Sequence, residues 1–250
     1  MTNLPVLNVS AYRFVPLDAL DERRQRLFDD AAAAGLKGTV LLAEEGINLF
    51  LAGEPTALRG WLARLREDLP FAGLDAKESW SEAVPFKRLK VKVKPEIIRM
   101  TSPAVRPAAG RAPAVAPATL ARWLSDGHDE LGRPVVMLDT RNGFEVDAGA
   151  FEGAIDWRLE RFSDFPAALA AHRDELAGKT VVSYCTGGIR CEKAALVMQA
   201  LGVERSFQLE GGILRYFEQT GGAPGWRGRC FVFDERAELA TDLQAAEAAA

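Results

Sequence analysis

Apolar residues recur at two different spacings over the first hundred positions, and the spacing separates strands from helices. Val6 to Phe14 has the alternating, aromatic-rich pattern of a strand, and Leu17 to Ala34 the spacing of a helix stopped by Gly35. Gly38 to Ala43 and Ile47 to Ala52 read as a strand pair joined by the tight turn AEEGIN, with Gly46 at the position that needs a positive φ. Pro55 to Asp68 is helical, with Leu58, Trp61, Leu62 and Leu65 on one face. Two further strands are expected near Leu74 to Trp80 and Phe86 to Val93. The order β-α-β-β-α-β is that of a ferredoxin-like split βαβ domain, an α+β unit of the acylphosphatase-like kind.

The pattern breaks at residues 101 to 118, where Pro103, Pro107, Pro113 and Pro117 stand among alanines and no regular element is sustained. Pro117 then suits the first turn of a new helix. Beyond it, the short apolar runs Val135 to Leu138, Val181 to Tyr184 and Ser206 to Leu209 alternate with helical stretches, which predicts an α/β domain around a parallel sheet. The expected organisation is a first domain over residues 1–100, a Pro/Ala linker over 101–118, a second domain over 119–233 and an acidic, alanine-rich tail over 234–250. That tail reads as a frayed helix or a disordered end.

Composition narrows the class. The chain has 250 residues, 48% of them hydrophobic and 26% charged, enough for two modest domains with real cores. No run approaches the roughly 18 apolar residues of a membrane span. The start, MTNLPVLNVSAYRF, lacks the charged and apolar regions of a secretory signal. A cytoplasmic protein without membrane partners is expected. Three cysteines, an odd number without structural-zinc spacing, argue against a disulfide framework and leave room for a free thiol. The net charge of −4 is unevenly spread. Asp234, Glu235, Glu238, Asp242 and Glu247 face a single Arg236 at the end, whereas Lys87, Arg88, Lys90, Lys92, Lys94 and Arg99 face a single Glu96 in the middle.

The stretch VVSYCTGGIRCEKAALVMQALG, residues 181 to 202, carries the chemistry. A strand runs straight into a cysteine and two glycines before a helix expected from about Cys191. A strand-to-helix turn aims backbone N–H groups and the positive helix end at one point, and Cys185 stands there. Gly187 and Gly188 are expected to take positive φ and curl the amides of Thr186 to Ile189 around the sulfur as an anion-binding nest. Arg190 adds a permanent positive charge. Together these lower a thiol pKa and stabilise an anionic sulfur adduct.

This loop resembles that of the rhodanese domain. VVMLDTRNGFEVDAGAFEGAID looks like the rhodanese segment whose Asp-x-Arg follows the first core strand, with Asp139 and Arg141 in those places and Glu145 beyond, and FQLEGGILRYFE resembles the strand and Gly-Gly helix start after the active-site helix. Four residues separate Cys185 from Arg190, as in persulfide-carrying sulfurtransferases; related phosphatases and arsenate reductases have one more, so phosphatase activity is disfavoured. LLAEEGIN, FKRLKVKVKPEII, CTGGIRCEKA and GWRGRCFVFDERAEL, in that order, closely resemble the bacterial tRNA uridine(34) hydroxylase family over residues 5 to 240. The resemblance implies tRNA as substrate and partner, oxygen as co-substrate, hydroxylation at C5 of the wobble uridine and Cys185 as active-site cysteine, proposed to pass through a persulfide. Longer members continue into a cysteine-bearing C-terminal extension, and nothing that resides there carries over. The alternatives are a sulfurtransferase moving sulfane sulfur through Cys185 and a non-catalytic RNA-binding module, against which the intact loop speaks.

Other residues are weighed against plainer roles. Arg88, Lys90, Lys92 and Lys94 alternate with Leu89, Val91 and Val93, so one strand face would carry cations about 6.6 Å apart. Such a row suits a phosphate backbone, and equally an edge strand guarded by lysines; beside the family resemblance, tRNA is favoured. Cys191 reads either as a thiol that resolves a Cys185 persulfide or as a small packed side chain, and Cys230 reads as core. Glu44 and Glu45 read as solvated loop carboxylates. His128, Asp129, Glu130 and His172 offer two histidines and carboxylates formally, but the polar turn around His128 disfavours a metal. No metal or organic cofactor is identified from the sequence.

Overall fold

The computed structural model describes residues 5–101, 105 and 107–245. The chain forms two compact units: one takes in the chain to Ile98 with Phe233–Arg236, the other Arg99–Val232 and the chain from Ala237 on. The first unit holds β1 (Val6–Phe14), α1 (Leu20–Ala33), β2 (Lys37–Ala43), β3 (Gly46–Gly53), α2 (Pro55–Glu67), β4 (Asp75–Ser81) and β5 (Leu89–Val93). Its sheet runs β4-β1-β3-β2-β5. The first four strands pair antiparallel, and β5 is added parallel to β2 at the edge.

Alternation fixes which face is buried. Leu7, Val9 and Ala11 of β1, Ile47, Leu49 and Leu51 of β3 and Val40 and Leu42 of β2 join Leu27 and Ala31 of α1 and the α2 face Leu58, Trp61, Leu62 and Leu65 in one core. Glu54 caps α2, its carboxylate accepting from the N–H of Thr56 at 3.0 Å and of Ala57 at 2.7 Å. Gly46 follows the two-residue turn Glu44-Glu45 with φ of 145°, and a Cβ there would lie 2.0 Å from the Arg13 carbonyl oxygen. The Glu45 carboxylate accepts from the Ile97 N–H at 2.8 Å.

The second unit holds β6 (Ala114–Val115), α3 (Pro117–Asp126), β7 (Val135–Asp139), α4 (Gly143–Ala148), β8 (Gly149–Phe151), α5 (Phe165–His172), β9 (Thr180–Tyr184), α6 (Ile189–Ala200), β10 (Ser206–Leu209), α7 (Gly212–Thr220), β11 (Trp226–Gly228), β12 (Cys230–Phe231) and β13 (Glu238–Leu239). Its four-stranded sheet, β6-β10-β9-β7, is parallel throughout. All five residues of β9 are buried, the mark of a central parallel strand covered on both faces. The molecule is therefore α/β in its second unit and ferredoxin-like in its first.

Three expectations change. The strand over Phe86 to Val93 is confined to Leu89–Val93, so Arg88 and Lys94 flank it and only Lys90 and Lys92 stand within it. Ala114–Val115, read from its prolines as linker, is a sheet strand. There the Gln208 N–H donates to the Pro113 carbonyl at 2.9 Å, and an edge strand tolerates a proline because only one side must donate. Of the segment read as tail, Glu238–Leu239 pairs antiparallel with Cys230–Phe231 and Leu239 is buried. Arg236 forks onto Asp234 at 2.6 Å and reaches Ser79 at 2.8 Å. Composition averages over such single anchors. The alanines beyond residue 245, like Pro103, lie outside the described residues.

Candidate active site

Register brings the site together. Asp139 at the end of β7 pairs with Tyr184 at the end of β9, so the segments after both strands emerge side by side. The Thr140 hydroxyl and N–H both reach the Tyr184 carbonyl, at 2.8 and 3.0 Å. Cys185 follows, fully buried, and α6 begins at Ile189, two residues earlier than the helical pattern suggests. Of the two glycines only Gly188 takes a positive φ, 99°; Gly187 does not, which corrects the expected pair. One left-handed residue suffices to turn the chain, and the Gly188 N–H then donates to Cys185 Sγ at 3.2 Å.

Burial, the largest single influence, pushes the Cys185 thiol up. The Cys191 thiol, the charge of Arg190 and the amides of Cys191 and Arg190 oppose it and bring it down to about 6. Cys191 has one proton and three neighbours that could accept it, the Gly188 carbonyl at 3.1 Å, the Leu209 carbonyl at 3.9 Å and Cys185 Sγ at 4.0 Å. The shorter oxygen contact is the better hydrogen bond, so Arg190 and the amides carry more of the depression than the second thiol does. Cys191 itself is pushed well up by burial, then by its neighbour sulfur. The pair thus has one anionic and one neutral sulfur near pH 7, side by side at 4.0 Å.

Arg190 is held by Glu145, Nη1 and Nη2 donating to the two carboxylate oxygens at 2.5 and 2.7 Å, both side chains buried. Glu145 is positioned by its own helix start, where its carboxylate caps the Asn142 N–H at 3.1 Å. Arg141 lies wholly buried beneath, forked onto Asp139 at 2.6 Å and donating to the Gly149 carbonyl at 2.6 Å and the Glu145 carbonyl at 3.1 Å. Its guanidinium packs on the Tyr184 and Trp226 rings. The Asp-x-Arg therefore scaffolds the base of the loop.

Sequence reasoning passed over Gly212. Its φ is +68°, and a Cβ would lie 2.4 Å from the Cys185 carbonyl oxygen and 2.6 Å from the Gly188 nitrogen. The Ile213 and Leu214 N–H groups, at the α7 start, donate to the Cys185 and Thr186 carbonyls at 3.0 and 3.1 Å. The signal was present in the Gly211-Gly212 pair, whose place in space no spacing rule reveals. Also unforeseen are Phe144, half exposed in α4, and Phe231, whose carbonyl accepts from Thr186 Oγ1 at 3.3 Å.

The remaining candidates fall elsewhere. Arg88, Lys92 and Lys94 are exposed and Lys90 half-buried, in the first unit. Cys230 is buried within the second core, and burial pushes its thiol up to about 12. Asp129 is buried and accepts from Thr180, from Arg205 at 2.6 Å and from the Leu131 and Arg133 N–H groups, which spends its lone pairs on structure. His172 pairs with Glu175 at 2.7 Å. Among the described residues no three His, Cys, Asp or Glu side chains gather as metal ligands, and no helix is long and apolar enough to cross a membrane.

Comparison with known proteins matches each unit. Residues 6–97 fit the family described as UPF0176 acylphosphatase like domain, and residues 118–219 the Rhodanese-like domain. The chain is 64% identical to a protein of Bordetella petrii named tRNA uridine(34) hydroxylase, over 98% of this chain and 97% of that one. A protein of the same name from Variovorax paradoxus is 60% identical over 96% of this chain and 91% of its own length. Among solved structures, Saccharomyces cerevisiae Ygr203w, a homolog of single-domain rhodanese and the Cdc25 phosphatase catalytic domain, is 21% identical with a TM-score of 0.37, over 44% of this chain and 82% of its own.

Proposed function

The chain belongs to the tRNA uridine(34) hydroxylase family, and from that premise we propose that it hydroxylates the wobble uridine of tRNA to 5-hydroxyuridine in the cytoplasm, with molecular oxygen as co-substrate. The observation that carries the site assignment is the buried Cys185 sulfur at the head of α6, accepting the Gly188 N–H at 3.2 Å beside an Arg190 held by Glu145, surroundings that lower its thiol pKa. A sulfur that is anionic at neutral pH is a nucleophile toward an electron-poor ring and a carrier of bound sulfur. Cys185 is assigned as the reacting group. Arg190, held by Glu145, keeps its anion, and Thr186, Gly187, Gly188 and Ile189 form the loop that encloses it. Cys191, 4.0 Å from Cys185, is assigned as the thiol that resolves a persulfide. Arg88, Lys90, Lys92 and Lys94 are assigned to the tRNA backbone.

Sulfur transfer through the same cysteine is the second reading, because the loop's donors serve a persulfide anion as well as a thiolate. Nucleoside mass spectrometry of total tRNA separates the two. Removing the gene from its host is expected to remove the nucleosides derived from 5-hydroxyuridine. The wild-type gene restores them and Cys185→Ser does not. Intact hydroxylation with altered thiolated nucleosides, together with no product from purified protein, unmodified tRNA and oxygen, overturns the hydroxylase reading in favour of sulfur transfer.

A further inference from the structure

Within the loop from Cys185 to Arg190 only Gly187 is half exposed; every other residue is buried. The approach to the sulfur is therefore narrow, and what flanks the loop decides what is held there. One aromatic residue is tied to it through its backbone, and a second meets the ring of the first. Phe144 follows buried Gly143 and precedes Glu145, the partner of Arg190. Phe231 is fastened from the other side through its carbonyl and Thr186 Oγ1, at 3.3 Å. Their ring centroids are 5.2 Å apart with planes at 87°, an edge-to-face contact that orients the Phe144 ring.

Yet Phe144 is 51% exposed. A phenyl ring held edge-to-face by a second ring, half in water and one residue from the carboxylate that holds Arg190, presents aromatic surface to a ligand. A flat, uncharged heterocycle is the ligand such a ring accepts, since every base has a π face to lay on it. An enzyme that reacts at a ring carbon must take that base out of its stack and hold it flat.

We propose that Phe144, braced by Phe231, is the stacking platform for the uracil base of nucleotide 34 once it turns out of the anticodon loop. The inference rests on the hydroxylase reading for the identity of the base. It adds a positioning role that charge and nucleophile do not supply: the cationic strand holds phosphate, whereas Phe144 holds the reacting ring.

The test uses the full chain and two anticodon stem–loop RNAs, one with uridine at position 34 and one abasic there. Wild-type protein is expected to bind the abasic RNA about tenfold more weakly or worse, as loss of one stacked base implies. Phe144→Leu, which keeps an apolar side chain but has no ring, binds both RNAs alike at the weaker level, and Phe144→Tyr restores the difference. The midpoint of Cys185 alkylation against pH is the same in both variants as in the wild-type protein, so loop damage is not the cause. Equal binding of the two RNAs by wild type, a retained difference in Phe144→Leu, or a displaced alkylation midpoint overturns the platform. Wild-type protein that discriminates the RNAs but forms no 5-hydroxyuridine overturns the hydroxylase reading and keeps the platform.

Discussion

Arg190 and Glu145, 45 residues apart in the chain, meet as a buried two-pronged ion pair with contacts of 2.5 and 2.7 Å. Two parallel charge-assisted bonds fix the guanidinium plane, so the charge beside Cys185 has one position. Glu145 in turn is fixed at the Asn142 N–H. The loop thus receives its electrostatics from a helix that belongs to a different strand.

The Cys185 thiol, at about 6, loses its proton two to three pH units below an ordinary cysteine. Alkylation by a small reagent is expected to rise through pH 6 and level off by pH 7, with Cys185→Ser unlabelled at that rate. Any activity that needs the thiolate falls as pH drops below 6, because protonation removes the nucleophile. A midpoint near the ordinary thiol value overturns this.

Arg190→Gln removes the charge that opposes burial, so the alkylation midpoint moves up from about 6. It also leaves Glu145 buried without its ion-pair partner, which costs about 3–5 kcal/mol of stability. Denaturant unfolding reads the second effect and the pH profile the first. An unmoved midpoint assigns the depression to the Cys191 thiol and the backbone amides.

Gly212→Ala places a Cβ 2.4 Å from the Cys185 carbonyl oxygen at a φ of +68°. Both the clash and the left-handed backbone act against it, and a loss of about 1–3 kcal/mol is expected from the strain alone. Activity falls further than stability, because the displaced atom belongs to the cysteine. A variant as stable and as active as wild type refutes the close approach.

Replacing Lys90 and Lys92 together with Gln is expected to weaken tRNA binding and to make log K fall less steeply with log salt, by roughly one unit per lost phosphate contact. Filter binding over a salt series measures it. Unchanged slope and affinity return the row to its edge-protecting role at β5.

Periodicity alone marked β1, α2 and the core face of α2, because burial of one face imposes its period on the residues that make it, and a short apolar run marked β10. Motif alone marked Cys185 and Arg190, since a glycine-rich turn between strand and helix has few uses for a cysteine. What the sequence could not carry was distance. Arg190 meets Glu145, and Gly212 meets Cys185, across strand crossovers that bring residues tens of positions apart into contact. Leu239 and Val115 become structural through one buried side chain each, a signal too small for composition to register. Local pattern reports what a segment prefers, whereas the partners of a buried charge or a close backbone approach exist only after the sheet has set its register.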